Sequence, residues 1–357
     1  MTRAPKPVPW VANLTPAAHG AVAPGGDSRD VLDFSANGNV IGPPPGVAEA
    51  IAAVDVAHYP DRHATALRGA IAQHLEVATE SVVVGNGSTE LIWSIARAYV
   101  APGTRAVVLG PTYGEYEVAV SAAGGDAVCV PAWSEGAAAS VDELAAAVSQ
   151  VRPRLVWLCR PNNPTGLSVS LGTVERLRKA ADDALLVVDE AYLTLCPDLS
   201  SVLTLPRNAQ LVVLRSMTKD AGLAGLRLGY LVADPEVAGT VARVVPPWSA
   251  SSIAQASGVA ALADRKHLAA AQEAVAASRA HLIAGLVKLG LAPYPSGANF
   301  VLVSVGDGAT VAQALLEQGC AVRDCTSFGL PDCVRIGVRS LPDQEVLVDA
   351  LAKVLDG

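Results

Sequence analysis

The chain has 357 residues, 51% hydrophobic and 17% charged, which is enough apolar material for a large core and rules out wholesale disorder. With 26 Lys and Arg against 34 Asp and Glu the formal charge is −8, so no basic stripe is available for general nucleic-acid binding. No uncharged apolar run approaches the ~20 residues of a bilayer span, and the first ten residues, with Pro5, Lys6, Pro7 and Pro9, lack the apolar stretch of a secretory signal. A soluble, cytoplasmic protein is expected.

In chain order, residues 1–46 are rich in Pro and Gly and close on Pro43-Pro44-Pro45-Gly46, the pattern of an irregular N-terminal arm. From 47 to 248, short apolar strands at 82–84, 106–109, 127–130, 155–159, 185–189, 211–215 and 228–232 alternate with helical stretches. Leu91, Ile92, Ile95, Ala96 and Tyr99, for example, fall on one helical face. Near-continuous apolar strands suit a mostly parallel sheet flanked by helices, an α/β large domain. After Pro246-Pro247 the chain reads as a smaller α/β domain, 249–357. It opens with an Ala-rich helix over 252–289, interrupted once, and continues with two strands and two helices.

Six cysteines, Cys129, Cys159, Cys196, Cys320, Cys325 and Cys333, form no C-x-x-C and have no His at zinc spacing, so no metal site is expected. Cys129 and Cys159 end apolar strands, where a thiol serves as a small buried hydrophobe.

Three strand ends carry candidate chemistry. Gly85-Asn86-Gly87-Ser88-Thr89-Glu90 joins a strand to a helix, and its small residues let helix N–H groups approach a phosphate. Glu90 occupies the third-glycine position of a dinucleotide fingerprint, and no Gly-Lys-Ser/Thr follows, so neither that motif nor a P-loop is present. Strand 155–159 runs into Arg160-Pro161-Asn162-Asn163-Pro164-Thr165-Gly166, and 185–188 into Asp189-Glu190-Ala191-Tyr192, at the sheet edge where open α/β folds bind ligands. An acid closing a buried strand needs a partner; a protonated ring nitrogen is one, a loop cap another. Strand 211–214 runs into Arg215-Ser216-Met217-Thr218-Lys219, followed by Gly222, Gly225 and Arg227. A desolvated Lys there is suited to Schiff-base chemistry, whereas a solvated one is only surface charge.

Taken in this order, Asn163, Asp189, Tyr192, Ser216, Lys219 and Arg227 resemble the fold-type I pyridoxal-phosphate enzymes, the aminotransferase class I/II superfamily, over about residues 32–355. The stretches 86–91, 161–166 and 222–230 are similar to the branch holding histidinol-phosphate aminotransferases and cobalamin-pathway threonine-phosphate decarboxylases. The resemblance implies the aminotransferase-like fold, pyridoxal 5′-phosphate as cofactor, and a homodimer sharing its active sites. It makes Lys219 the Schiff-base lysine and proton shuttle, and Asp189 the holder of the pyridine proton that turns the ring into an electron sink. Tyr113 would stack on the ring, and Asn163 and Tyr192 would bond its O3′. Gly87, Ser88, Thr89, Ser216, Thr218 and Arg227 would hold the cofactor phosphate, with Tyr59 reaching it from the partner subunit.

On the substrate side the resemblance assigns Arg335 to the α-carboxylate and Arg323 to a side-chain phosphate, with His19 and Asn37 in segments like the decarboxylase's own. Gly38-Asn39-Val40 and Arg160 depart from the branch; Arg160 is either an extra cation beside the cofactor or a salt bridge at the sheet rim. Decarboxylation of a threonine-phosphate-like amino acid is therefore placed first. Transamination is the alternative, and β- or γ-elimination or replacement a third outcome. A non-catalytic ligand sensor is the rival class, but the 45-residue arm is too short and too poor in basic residues to be its DNA-binding module.

Overall fold

A computed structural model describes residues 5–20, 31–134, 136–206 and 208–356, so residues 1–4 and 21–30 of the expected arm lie outside the described residues. The helix α1 (Pro9–Ala12) and strand β1 (Leu32–Asp33) precede α2 (Gly46–Ala52) and α3 (Thr65–Leu75). Then come β2 (Val82–Asn86), α4 (Gly87–Tyr99), β3 (Arg105–Gly110), α5 (Glu115–Ala122) and β4 (Asp126–Pro131). A small hairpin of β5 (Trp133–Ser134) and β6 (Ala137–Ala138) leads to α6 (Val141–Val151), β7 (Leu155–Cys159), α7 (Leu171–Ala180) and β8 (Leu185–Asp189). The strand β9 (Leu211–Ser216), helix α8 (Met217–Asp220), β10 (Leu228–Val232) and α9 (Pro235–Ala242) follow. The remainder is α10 (Ser252–Ala263), α11 (Arg265–Lys288), β11 (Phe300–Ser304), α12 (Gly308–Glu317), β12 (Cys320–Ala321), β13 (Arg323–Asp324), β14 (Cys333–Gly337) and α13 (Leu341–Asp356).

Seven strands form the central sheet in the order β2-β10-β9-β8-β7-β3-β4. All pairings are parallel except those of β10, which is antiparallel to both neighbours. Inner strands such as β7 and β8 are buried along their whole length, which explains why their sequences run apolar without alternation. One face packs Leu91, Ile92, Ile95 and Ala96 of α4 against Trp157 and Val187. The other packs Leu144 and Val148 of α6 and Leu177 of α7 against Val156, Leu158 and Val188. Cys129 stands on β4, the edge strand of the sheet among the described residues, and is exposed, contrary to the expected burial; Cys159 is buried.

A second core joins Phe34, Leu282, Leu286, Val301, Val334, Ile336 and Leu351. Part of the arm is thus packed rather than irregular: Leu32–Asp33 pairs in parallel with Cys320–Ala321, and Phe34 is fully buried. The Ala-rich helix breaks at Asp264, whose carboxylate accepts the His267 N–H and caps α11. Its first half behaves differently from the second. Ala254 of α10 packs with Val47, Leu67 and Ile71 on the large sheet's flank, so the small-domain core begins beyond that helix. Among the described residues no helix is long and apolar enough to cross a membrane.

Candidate active site

The carboxyl ends of β3, β7, β8 and β9 meet β14 and two pieces of the arm around an open cleft. Ser88, Thr89, Tyr113, Asn163, Asp189, Tyr192, Ser216, Thr218, Lys219 and Arg227 all line it, together with His19, Asn37, Arg323 and Arg335. The motifs that the sequence scatters along most of its length converge here.

At one end lies an oxyanion cradle. The first turn of α4 has no side-chain cap, the Glu90 carboxylate accepting only the Asn86 N–H at 2.8 Å, and uncapped helix N–H groups favour an anion. Gly87 has φ +76, and a Cβ there would stand 2.9 Å from Arg227 Nη2, so glycine serves both the backbone and the arginine's approach. A Cβ on Gly229 would meet the Ser88 nitrogen at 2.4 Å. The Ser216 and Thr218 hydroxyls, 2.7 Å apart and buried, complete the cradle. Hydroxyls, helix amides and a guanidinium are the donor set a phosphate monoester requires.

The floor carries the charged chemistry. Asp189 Oδ1 accepts the Ala191 N–H at 2.9 Å, and Oδ2 accepts the Tyr116 hydroxyl at 2.8 Å. Burial nevertheless pushes this carboxyl up to about 6, against the two donors and the Lys219 charge. The Lys219 amine, 5.9 Å from the Tyr192 ring centroid, is pushed down to about 8, first by burial and then by Arg335 and Arg227, with Asp189 opposing. A lysine held there is neutral often enough near neutral pH to act as nucleophile and base. Tyr113, pushed up to about 12 by burial, stands over the cleft with its hydroxyl 3.3 Å from that of Thr89.

At the other end Arg335 is buried, with Nη2 donating to the Ser35 carbonyl at 2.7 Å and Nη1 to Asn163 Oδ1. Its Nε has no protein partner among the described residues. Phe300 lies under the guanidinium, 5.5 Å from the ring centroid. A guanidinium fixed on three sides and open to a cleft suits a carboxylate or phosphate. The Asn37 amide donates to the Tyr192 hydroxyl at 3.4 Å.

The mouth is built by residues 18–20. His19 Nε2 lies 2.7 Å from Glu115 Oε1, while the other oxygen of this nearly buried carboxylate accepts from Trp93 Nε1 at 2.7 Å. Arg323 donates to the Ala18 carbonyl at 3.0 Å and to Ser327 Oγ at 2.7 Å, with Phe328 against its guanidinium.

One expectation is revised, that for Arg160. Arg160 does not line the cleft: it is buried beyond the end of β7, donating to the Val169 and Ser200 carbonyls and pairing with Glu190 at 3.5 Å. Glu190 also pairs with Arg215 at 2.9 Å and accepts from Ser201 and Val202, so Arg160 belongs to a buried ion network that pins the end of β8. Substrate binding by Arg160 is thereby corrected to the salt bridge that was its alternative. Gly38-Asn39-Val40, the other departure, is tied into the fold, with Asn39 donating to the Asp220 carbonyl and Gly38 accepting from Asn299. Tyr59 is 81% exposed, rests on Trp248 at 4.9 Å and stays away from this chain's own cleft. Tyr116, which lines the cleft, and Glu115, which holds His19 at its mouth, escaped the sequence reading, since their segment shows only a polar and an aromatic residue opening a helix.

The signature of the aminotransferase class I and II family matches residues 29–354. Histidinol-phosphate aminotransferase of Moorella thermoacetica is 34% identical over 336 residues, covering 92% of this chain and 86% of that protein. The Natronomonas pharaonis protein of the same name is 38% identical over 313 residues, 87% of each chain. Among solved structures, histidinol-phosphate aminotransferase of Sinorhizobium meliloti, in complex with pyridoxal-5′-phosphate, superposes with a TM-score of 0.87 at 29% identity over 99% of both chains. Aspartate aminotransferase of Thermus thermophilus with maleate gives 0.80 at 27% identity, over 91% of this chain and 92% of that one.

Proposed function

The chain belongs to the aminotransferase class I and II family, whose members work with pyridoxal phosphate, and from that premise we propose that it moves an amino group between a phosphorylated amine of the histidinol-phosphate type and a 2-keto acid. The carrying observation is that Lys219, Asp189 and Arg335 are gathered in one cleft with an oxyanion cradle at its far end. The names of the relatives favour amino transfer over the decarboxylation placed first from the sequence. Histidinol phosphate bears no carboxylate on its amine-bearing carbon, so loss of CO₂ is closed to such a substrate while amino transfer is open.

When bound, the cofactor supplies an aldehyde that condenses with amines and a pyridine ring that accepts electron density from the substrate's Cα. The protein's residues do the rest. The cradle of Ser88, Thr89, Ser216, Thr218 and Arg227 would hold its phosphate, Tyr113 would cover one ring face, and Asp189 would keep the ring nitrogen protonated. Lys219 Nζ, with its amine titrating near 8, takes and returns the proton at Cα. Arg335 would grip the keto acid's carboxylate in one half-reaction and the phosphate of the amine in the other. Arg323 and His19 stand at the mouth for the remaining substrate groups.

The test offers the loaded protein histidinol phosphate with 2-oxoglutarate, and separately threonine phosphate, measuring glutamate and CO₂. Glutamate formed with histidinol phosphate supports the reading. CO₂ from threonine phosphate, with no glutamate from histidinol phosphate, overturns it in favour of the decarboxylase. Active sites completed by Tyr59 from a second copy belong to this proposal; a monomer at working concentration with full activity would contradict that part.

A further inference from the structure

Tyr116 lies in the first turn of α5 and is fully buried, yet it ends on a charge. Its hydroxyl donates to Asp189 Oδ2 at 2.8 Å. Its ring is stacked on Trp157 at 5.1 Å with an 8° interplanar angle, and Tyr113 meets it edge-on at 5.6 Å. One side chain therefore touches both the carboxylate that would hold the cofactor's ring nitrogen and the aromatic that would cover its ring. A phenol rigidly stacked in this way presents its O–H along one line.

We propose that Tyr116 is a positioning residue for the cofactor: its hydroxyl holds Asp189 ionised and aimed into the cleft, so that the carboxylate keeps the pyridine nitrogen protonated. The role toward the cofactor rests on the function proposed above; the Tyr116–Asp189 coupling itself does not. An O–H donor to a buried carboxylate stabilises the charged form over the protonated one. The groups facing Asp189 leave few substitutes. Glu190 beside it opposes its charge, the Ala191 N–H and Lys219 on α8 favour it alongside Tyr116, and Cys159 on β7, its thiol pushed up to about 12, faces it as a neutral group. Tyr113 and Tyr192 face it from the remaining walls. Without the phenol, one carboxylate oxygen loses its hydroxyl donor, and the carboxyl binds its proton more tightly.

Tyr116→Phe retains the ring stack and removes only the hydroxyl. In the cofactor-free full-length chain, the pH midpoint assigned to Asp189, read from stability against pH, is expected to rise by about one unit or more. The pH-dependent part of the change is expected to vanish when Tyr116→Phe is placed in an Asp189→Asn background. In the loaded protein, dissociation of pyridoxal phosphate is expected to quicken several-fold. A purely structural tyrosine would instead lower stability equally at all pH values and in both backgrounds. An unchanged midpoint, a pH-dependent change that persists in the Asp189→Asn background, or unchanged cofactor dissociation would each overturn the proposal. Wild-type protein that takes up no pyridoxal phosphate would overturn the proposed function and leave the titration result standing.

Discussion

Asp189→Asn in the cofactor-free protein separates what the site costs from what it does. Burial holds the Asp189 carboxyl at about 6 against 3.8 for a free one. Between those values the folded chain keeps a proton that the unfolded chain has released. This group's contribution to stability is therefore full below about pH 4, falls as pH rises through about 6, and is flat beyond. The gap corresponds to about 3 kcal/mol of stability lost by neutral pH. Asparagine keeps both bonds in kind: its Oδ1 still accepts the Ala191 N–H, and its amide N–H donates to the Tyr116 oxygen. Lys219, for which Asp189 is the smallest of the four influences, is little altered. The measurement is guanidinium unfolding of both proteins from pH 4.5 to 7.5 at one protein concentration. The variant should lie within about 1 kcal/mol of wild type at the acid end and exceed it by about 3 kcal/mol at neutral pH. A constant difference across pH, or a wild type more stable at neutral pH, would refute the claim that Asp189 is a desolvated charge awaiting a cation.

Three further outcomes follow from the same geometry. Borohydride reduction of the loaded protein should fix the cofactor to Lys219, and acylation of the cofactor-free amine should reach half its limiting rate near pH 8, with slower reaction below it because the protonated amine is inert; peptide mapping reads both. Arg335→Ala should weaken anionic substrates by about 2–5 kcal/mol, the range for truncating one partner of a buried charge pair, as read from KM for glutamate and for histidinol phosphate. Glu190→Ala should cost about 3–5 kcal/mol in denaturant unfolding, since it strands Arg160 and Arg215 as buried like charges, whereas Arg160→Ala should not change the ratio of KM values between phosphorylated and plain amines.

Much of the fold was legible from local pattern because inner parallel strands advertise themselves. β7, β8 and β10 are apolar almost from end to end, so their limits coincide with the sequence reading. Cofactor-facing residues were legible for a related reason: most follow such a strand, and strand ends are where side chains leave the core. Arg160 shows the limit. It too follows an inner strand, but which way its guanidinium turns is decided by Glu190, at the end of the next strand, and by the Ser200 carbonyl. The packed end of the arm was hidden likewise, since two residues, Leu32 and Asp33, carry no periodicity and acquire an edge only when β12 is in place.

The same contrast explains the electrostatics of the cleft. Glu190, Arg160 and Arg215 lie near Asp189 and are as deeply buried, yet each has its counter-charge or carbonyls supplied by the chain. Asp189, Lys219 and Arg335 are supplied only in part: two donors for the carboxylate, an aromatic ring near the amine, two acceptors for the guanidinium. Desolvation then lifts the acid toward about 6 and lowers the amine toward about 8, which destabilises the fold and makes both groups reactive near neutral pH. A fully paired floor would be more stable and would have no proton to move. The apolar layers on both sides of the sheet, with Trp157 and Tyr116 stacked in one of them, supply the surplus stability that such a floor requires.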